Sequence, residues 1–310
     1  MLAAMTAYIV RRLLQAIPIL FLVATLVFSL IHLIPGDPVE LLLGDSARAA
    51  DVAALRQELG LDRPLGEQYL DFLKGLVRGD LGTSLKSGRP VTEVILEHYP
   101  ATLELALAGM LVALLVALPL GVMAALQRDR WLDHGSRFFA LLGVSMPNFW
   151  LGPLLILAFS VQWNLLPVSG RGTWQHLVLP AITLGTALAG LLTRMVRSSL
   201  TEELRRPYLL TARAKGLSRE VVVARHALSN ALIPVVTIVG LQFGALLTGT
   251  IITETIFSWP GLGRLLIQSI HSRDYPLIQA GVLIIAATYV LVNLATDVVY
   301  AWLDPRIRYD

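Results

Sequence analysis

The chain has 310 residues, of which 55% are hydrophobic and only 15% charged, with a formal net charge of +3 and a mean hydropathy of +0.67. A soluble fold has too little interior to hide that much apolar surface, so an ordinary water-soluble domain is excluded. Having no cysteine, the chain can form no disulfide, thiolate metal site or cysteine nucleophile.

Six apolar runs reach the roughly 20 residues needed to cross about 30 Å of hydrocarbon, which predicts an all-α, multi-pass membrane protein. The first, Leu13 to Ile34, follows Arg11 and Arg12 like a signal sequence but leads into His32-Leu-Ile-Pro-Gly-Asp37 with no small-residue cleavage pattern, so it reads as an uncleaved anchor. Residues 35–100 form the one sizeable block outside the membrane. Within it, Asp51 is placed to cap a turn running to Leu59 with Gly60 as its stop, and Pro64 to open a second helix. Leu65, Tyr69, Phe72, Leu73 and Leu76 then share one apolar stripe, suited to a packed external cap or to direct contact with cargo.

The second span is Ala101 to Leu126. The third, Phe138 to Trp163, is interrupted by Ser145-Met-Pro-Asn-Phe-Trp-Leu-Gly-Pro153, whose two prolines each remove a backbone donor. Irregular backbone at membrane depth survives only where protein buries it or water reaches it. The break therefore predicts a cavity-lining helix or a packing kink. On the fourth span, Val178 to Val196, residues Thr183, Thr186, Gly190 and Thr193 form a small, partly polar face. On the fifth, Ala231 to Ile252, Gly240, Gly244 and Thr248 recur every four residues, a ridge for close helix packing. Glu254 to Leu266 is too broken by Pro260, Gly261 and Gly263 to continue the helix and too apolar to be a free loop. It predicts a fold-back at the external end, either a gate built on Phe257, Trp259, Pro260, Gly261 and Gly263 or an interfacial turn anchored by Trp259. The sixth span is Leu277 to Trp302.

The chain thus divides into residues 1–34 (N-terminus and first span), 35–100 (external helical segment) and 101–310 (a five-helix core with a loop at 197–230). Fifteen Lys and Arg fall in residues 1–12, 127–137, 194–230 and 303–310. The opposite side carries ten, seven of them in the 35–100 segment beside eleven carboxylates. This asymmetry puts both termini in the cytoplasm and accounts for the net charge without nucleic-acid binding.

Residues 207–216, Pro-Tyr-Leu-Leu-Thr-Ala-Arg-Ala-Lys-Gly, read as a short self-capped helix, with proline suited to its first position and Gly216 to its end. At 1.5 Å per residue it is roughly 13 Å long, too short to span a bilayer, so it presents side chains outside the lipid. Tyr208, Thr211, Ala212 and Lys215 recur at helical spacing, and the small Ala212 and Ala214 suit close approach to a partner; a lipid-binding amphipathic hairpin is the alternative. Ser218 is placed to cap a second helix, Arg219 to Asn230, carrying Arg225, His226 and Asn230.

Tyr208-x-x-Thr211-Ala-Arg-Ala-Lys-Gly216 followed by His226-Ala-Leu-x-Asn230-Ala-Leu-Ile-Pro234 resembles the coupling motif of the inner-membrane permease subunits of type I ATP-binding-cassette importers, in the dipeptide, oligopeptide and glutathione branch. Pro35-Gly-Asp-Pro38, Gly79-Asp-Leu-Gly82, Glu254 through Gly263, Arg273-Asp-Tyr-Pro276 and Asp304-Pro-Arg-Ile-Arg308 match as well, so the resemblance covers essentially the whole chain. The wider permease family opens its motif with glutamate six residues before the glycine, where this chain has Leu210.

The resemblance implies the type I permease fold with six transmembrane helices in the bacterial inner membrane. It implies import of dipeptides, oligopeptides or glutathione by alternating access. Tyr208, Thr211, Ala212, Arg213, Ala214, Lys215, Gly216 and His226 would meet a nucleotide-binding subunit. The implied partners are a second permease, two ATPase subunits and an external peptide-binding protein. The three lysines, Lys74, Lys86 and Lys215, follow Leu73, Leu85 and Ala214, so the Gly-Lys-Ser/Thr of a P-loop is absent; ATP and Mg would be used by partner subunits, with no cofactor on this chain. A nickel or other small-solute permease of the same branch fits the same motifs. Two other classes stay open on the residues alone: a membrane scaffold, and an ion-coupled secondary transporter, for which Glu104, Asp297 and His32 are the ionisable candidates.

Overall fold

A computed structural model describes residues 2–33, 39, 49–58 and 60–303. The Pro35 to Pro38 and Asp304 to Arg308 motifs, and the side chain of Thr248, lie outside what is described. The described chain is helical, with an isolated Thr83–Pro90 bridge. In order come α1 (Leu2–Leu33), α2 (Ala49–Glu58), α3 (Leu65–Arg78), α4 (Val91–Leu126), α5 (Trp131–Ser145) and α6 (Asn148–Leu155), which widens into a π segment at Ile156–Gln162. Then follow α7 (Trp174–Glu203), α8 (Pro207–Ala214), α9 (Arg219–Val221), a π segment (Val222–Ala227), α10 (Leu228–Ala231), α11 (Ile233–Ile256), α12 (Leu262–His271) and α13 (Tyr275–Leu303).

Among the described residues, four helices are singly long and apolar enough to cross a membrane: α1, α4, α7 and α13. The number reaches 6 if each of two bent pairs is one span. The third predicted span is therefore no continuous helix: α5 and α6 meet at 105°. Pro147 forces Met146 out of the helical region, to φ −85° and ψ 115°, which ends α5. The fifth span is bent 46° from the residues before it, where Pro234 enters the first turn of α11. Hydropathy also marked helix ends imperfectly. The second span begins at Val91, ten residues before Ala101, because Pro90 starts a helix whose first turns carry Glu93, Glu97 and His98 and stand clear of the apolar run.

Packing centres on α7. Along α4, Ala101, Leu105, Gly109, Ala113, Ala117, Gly121 and Ala125 recur every four residues and are all buried, a ridge against which α7 lies. A Cβ on Gly185 of α7 would stand 2.5 Å from the Gly109 carbonyl oxygen, so the two backbones nearly touch. On its other side α7 meets α5, where a Cβ on Gly143 would stand 2.8 Å from the Thr186 carbonyl oxygen. The Thr183, Thr186 and Thr193 hydroxyls return to carbonyls of their own helix, at Leu179, Ile182 and Ala189. Gly240 and Gly244 admit Thr296 and Tyr289 of α13, which gives the expected ridge an intramolecular partner.

At one end of this bundle α3 caps α1. The Tyr69 hydroxyl lies 2.7 Å from Thr25 Oγ1, and Phe28 meets the tilted Tyr69 ring at 5.2 Å and stacks on Phe72 at 5.8 Å. Of the expected stripe, Tyr69, Phe72, Leu73 and Leu76 are half-buried while Leu65 is exposed, and Asp51 sits in the first turn of α2 and is not its cap, since that helix already begins at Ala49. Two motifs far apart in sequence meet here. Asp274, at the start of α13, accepts from the Ser84 hydroxyl at 2.5 Å and from the Leu85 and Lys86 amides at 3.1 and 3.4 Å, pinning the loop after Gly79–Gly82. At the other end of the bundle projects the knob formed by α8 to α10.

Candidate functional site

Pro207 takes the first position of α8, and the helix closes with the Lys215 amide on the Thr211 carbonyl at 3.1 Å and the Gly216 amide on that of Arg213 at 2.9 Å. Gly216 has φ +82°, the left-handed conformation that turns the chain out of the helix. The Ser218 hydroxyl then accepts from the Val221 amide at 3.5 Å, starting the next element as expected. That element is not the single α-helix expected over Arg219 to Asn230: after one turn it widens into the π segment and resumes as α10, ending at Ala231.

The rotation of α8 is set by a residue the sequence reading passed over. Leu209 is 1% exposed and packs with Ala125 of α4, Leu200 of α7, and Val222, Ala227 and Ala231 of the knob, with Ala212 against the same cluster. A helix this short must bury one face to stay ordered, and Leu209 with Ala212 at i+3 supplies it. The four residues at helical spacing, Tyr208, Thr211, Ala212 and Lys215, are accordingly split. Ala212 turns inward, and the Tyr208 hydroxyl reaches back, whereas Thr211, Arg213, Ala214, Lys215 and Gly216 are exposed beside Leu210.

The Tyr208 oxygen lies 2.7 Å from Glu203 Oε1 and 3.1 Å from the His226 carbonyl oxygen, and accepts from Asn230 Nδ2 at 2.9 Å. It thus ties α7, α8 and the π segment together, with His226 taking part through its backbone. Burial first, and then the Glu203 carboxylate, hold this phenol above its ordinary pKa. Tyr208→Phe removes the tie; at about 1 kcal/mol for one partly exposed hydrogen bond, amide exchange across residues 207–230 should rise about fivefold with the helical bundle unchanged. Exchange equal to wild type would show that Leu209 alone seats the knob.

The residues of the expected gate lie at the opposite end and are largely buried. Phe257 and Trp259 are each 1% exposed, and Gly261 and Gly263 are buried. Trp259 Nε1 donates to the Ala101 carbonyl at 2.8 Å, and the Gly170 amide donates to the Phe257 carbonyl at 2.9 Å. Beneath the turn lies Glu254, wholly buried, accepting from the Thr102 hydroxyl at 2.7 Å and the Arg264 amide at 2.9 Å. Side chains on Gly261 or Gly263 would collide with that carboxyl group or with Ile251, so the glycines serve close packing around it. Glu254 opens the motif that runs to Gly263, and its position at the end of an apolar run is the signal for a buried carboxyl group.

A second missed carboxylate, Asp133 on α5, is also fully buried. Arg197 of α7 grips it with Nε at 2.5 Å from Oδ1 and Nη2 at 2.8 Å from Oδ2, and Arg137 adds contacts at 3.1 and 2.6 Å. The three ionisable candidates for an ion relay are engaged elsewhere. Glu104 pairs with Arg171 at 2.6 Å, Asp297 with Arg12 at 3.0 Å, and His32 Nδ1 lies 2.7 Å from the Phe28 carbonyl oxygen.

Comparison with known proteins agrees with this architecture. The family model for the binding-protein-dependent transport system inner membrane component matches residues 117–309, and the model for the N-terminal part of such membrane components matches residues 5–106. The chain is 48% identical over 305 residues to the glutathione transport system permease protein GsiC of Salmonella choleraesuis (strain SC-B67), covering 98% of this chain and 100% of that protein. It is 47% identical over the same length to GsiC of Escherichia coli (strain K12), with the same coverage. A solved structure of the MetNI methionine ABC transporter, in an inward-facing conformation, superposes with a TM-score of 0.55 at 17% identity, over 69% of this chain and 97% of that one, a likeness of fold. Matched by family models along nearly its whole length and by relatives from end to end, the chain belongs to the inner membrane components of binding-protein-dependent transport systems.

Proposed function

We propose that this permease imports di- or oligopeptides, or glutathione, by alternating access, driven by ATP that two separate subunits hydrolyse. The observation that carries the reading is the knob. Leu209 roots α8 in the cluster where α4, α7 and the approach to α11 converge, while Thr211, Arg213, Ala214, Lys215 and Gly216 face outward. A partner pressing on that exposed basic face moves three spans at once, a rigid-body route from an ATPase to the membrane. The knob end lies in the cytoplasm with both termini, and the α3 cap lies outside, where an external binding protein delivers cargo. A second, similar permease completes the path, which the broken α5–α6 lines at mid-height with Asn148 beside Gln242 of α11. The turn from Phe257 to Gly263 acts here as a fixed external anchor against which the path opens and shuts.

The cargo reading rests on the relatives, which are glutathione permeases by name and nearly half identical throughout. The test is to purify the complex with its neighbouring subunits in lipid and measure ATP hydrolysis as glutathione-loaded or dipeptide-loaded binding protein is added. Severalfold acceleration by either form is expected, and the form that accelerates names the cargo. No acceleration by either, or uptake by this chain alone on an ion gradient, would overturn the reading.

A further inference from the structure

We infer that Asp133 is a positioning residue for transport, a latch that joins the broken helix α5 to α7 so that movement of the knob reaches the mid-height cleft; this rests on the importer reading above. Asp133 is fully buried in the first turn of α5, and its carboxylate receives four guanidinium contacts, two from Arg137 one turn along and two from Arg197 on α7. A fifth donor is the Asp129 amide at 2.9 Å, from the α4–α5 connection, where Asp129 itself has φ +60°. One side chain therefore holds α5, α7 and the end of α4 together. A carboxylate out of contact with water is stable only with such a full set of partners, and removing one member leaves charge buried without its counterpart.

Position separates this cluster from an ordinary core contact. Arg197 precedes Leu200 by one turn on α7, and Leu200 is the residue on which Leu209 of the knob rests. From the same latch, α5 runs to Val144 at the cleft, directly before the 105° break, with Asn148 just beyond it. Glycine contacts fasten α5 to α7 farther along, at Gly143 and Gly190, but they are contacts of shape and permit sliding. The bidentate fork of Arg197 fixes register as well as distance. With the latch closed, displacement of α8 carries the break along with α7; with it open, α7 moves and the lining of the cleft lags.

The experiment compares Asp133→Asn and Arg197→Lys in the complete complex with its binding protein, reconstituted in proteoliposomes. The readout is cargo imported per ATP hydrolysed. The aspartate variant keeps shape and loses charge; the lysine variant keeps charge and loses the fork. Both should lower the ratio at least about tenfold, whereas Asp71→Asn, which removes an exposed pair with Arg63 and Lys74 in the cap, should leave it at the wild-type value. A role in stability alone would reduce import and hydrolysis in proportion, leaving the ratio unchanged, and would overturn the inference. Failure of both variants to assemble would make the cluster a folding element and overturn it equally. If the wild-type complex itself shows no binding-protein-stimulated hydrolysis, it is the importer reading that falls.

Discussion

Replacing Gly216 by valine is expected to cut ATP-driven uptake about five- to thirtyfold while the external binding protein still captures cargo normally. The reason lies in the backbone alone. Gly216 sits at φ +82°, and a Cβ there would meet nothing within 4 Å, so no neighbour is disturbed. A left-handed conformation costs an ordinary residue about 1–2 kcal/mol, and a β-branched one is a marked outlier there. About 1.4 kcal/mol corresponds to a tenfold change in a conformational equilibrium, which in the importer reading is the fraction of complexes with α8 correctly ended and presented. Asparagine tolerates the left-handed region, so Gly216→Asn should keep most of the uptake. The check is labelled-cargo uptake at matched membrane levels of the three proteins. Full uptake by the valine variant would mean that the end of α8 plays no part in driving transport.

Gly185→Ala should have a large effect on the fold itself. A single methyl group there points at the Gly109 carbonyl oxygen 2.5 Å away, with Val112 at 3.2 Å, and a backbone oxygen cannot rotate aside. Helices α4 and α7 must separate, opening a gap along the alanine ridge through the main core. Overpacking of this kind costs about 1–3 kcal/mol, and the loss should appear as a lower melting temperature in detergent and poorer recovery of folded protein. Gly66→Ala is the matching control: it lies on exposed α3 with nothing within 4 Å of its Cβ, and alanine favours helix by up to about 1 kcal/mol. Equal melting of the two variants would show that α4 and α7 do not approach as described.

Much of the fold was legible because a bilayer imposes a simple length rule on apolar runs. That rule located the spans but not their ends, as Val91 and Glu203 show, since a helix continues past the hydrocarbon wherever backbone geometry permits. The proline pair at Pro147 and Pro153 announced a break, but its angle depends on how α5 and α6 settle against α7 and α11. At the knob, Pro207, Gly216 and Ser218 were readable as start, stop and restart because each acts through local backbone geometry. The rotation of α8 was not, because Leu209 and Leu210 are both leucine, and only the pocket offered by Ala125, Leu200 and Val222 decides which one is buried.

The sequence by itself therefore determined the membrane as solvent, the approximate spans, the self-contained knob and its likeness to a permease, all of which follow from composition, local geometry or motif. Only the tertiary structure decided that Ala212 faces inward, that Gly240 and Gly244 receive α13, and that Phe257 and Trp259 are buried. It alone revealed the partners of two buried carboxylates, Glu254 beside Thr102 and Asp133 beside Arg197, which lie 152 and 64 residues apart in the chain. Neither pair leaves a periodic trace, because a charge is stabilised by whatever donors surround it in space, and spacing along the chain carries no record of that neighbourhood.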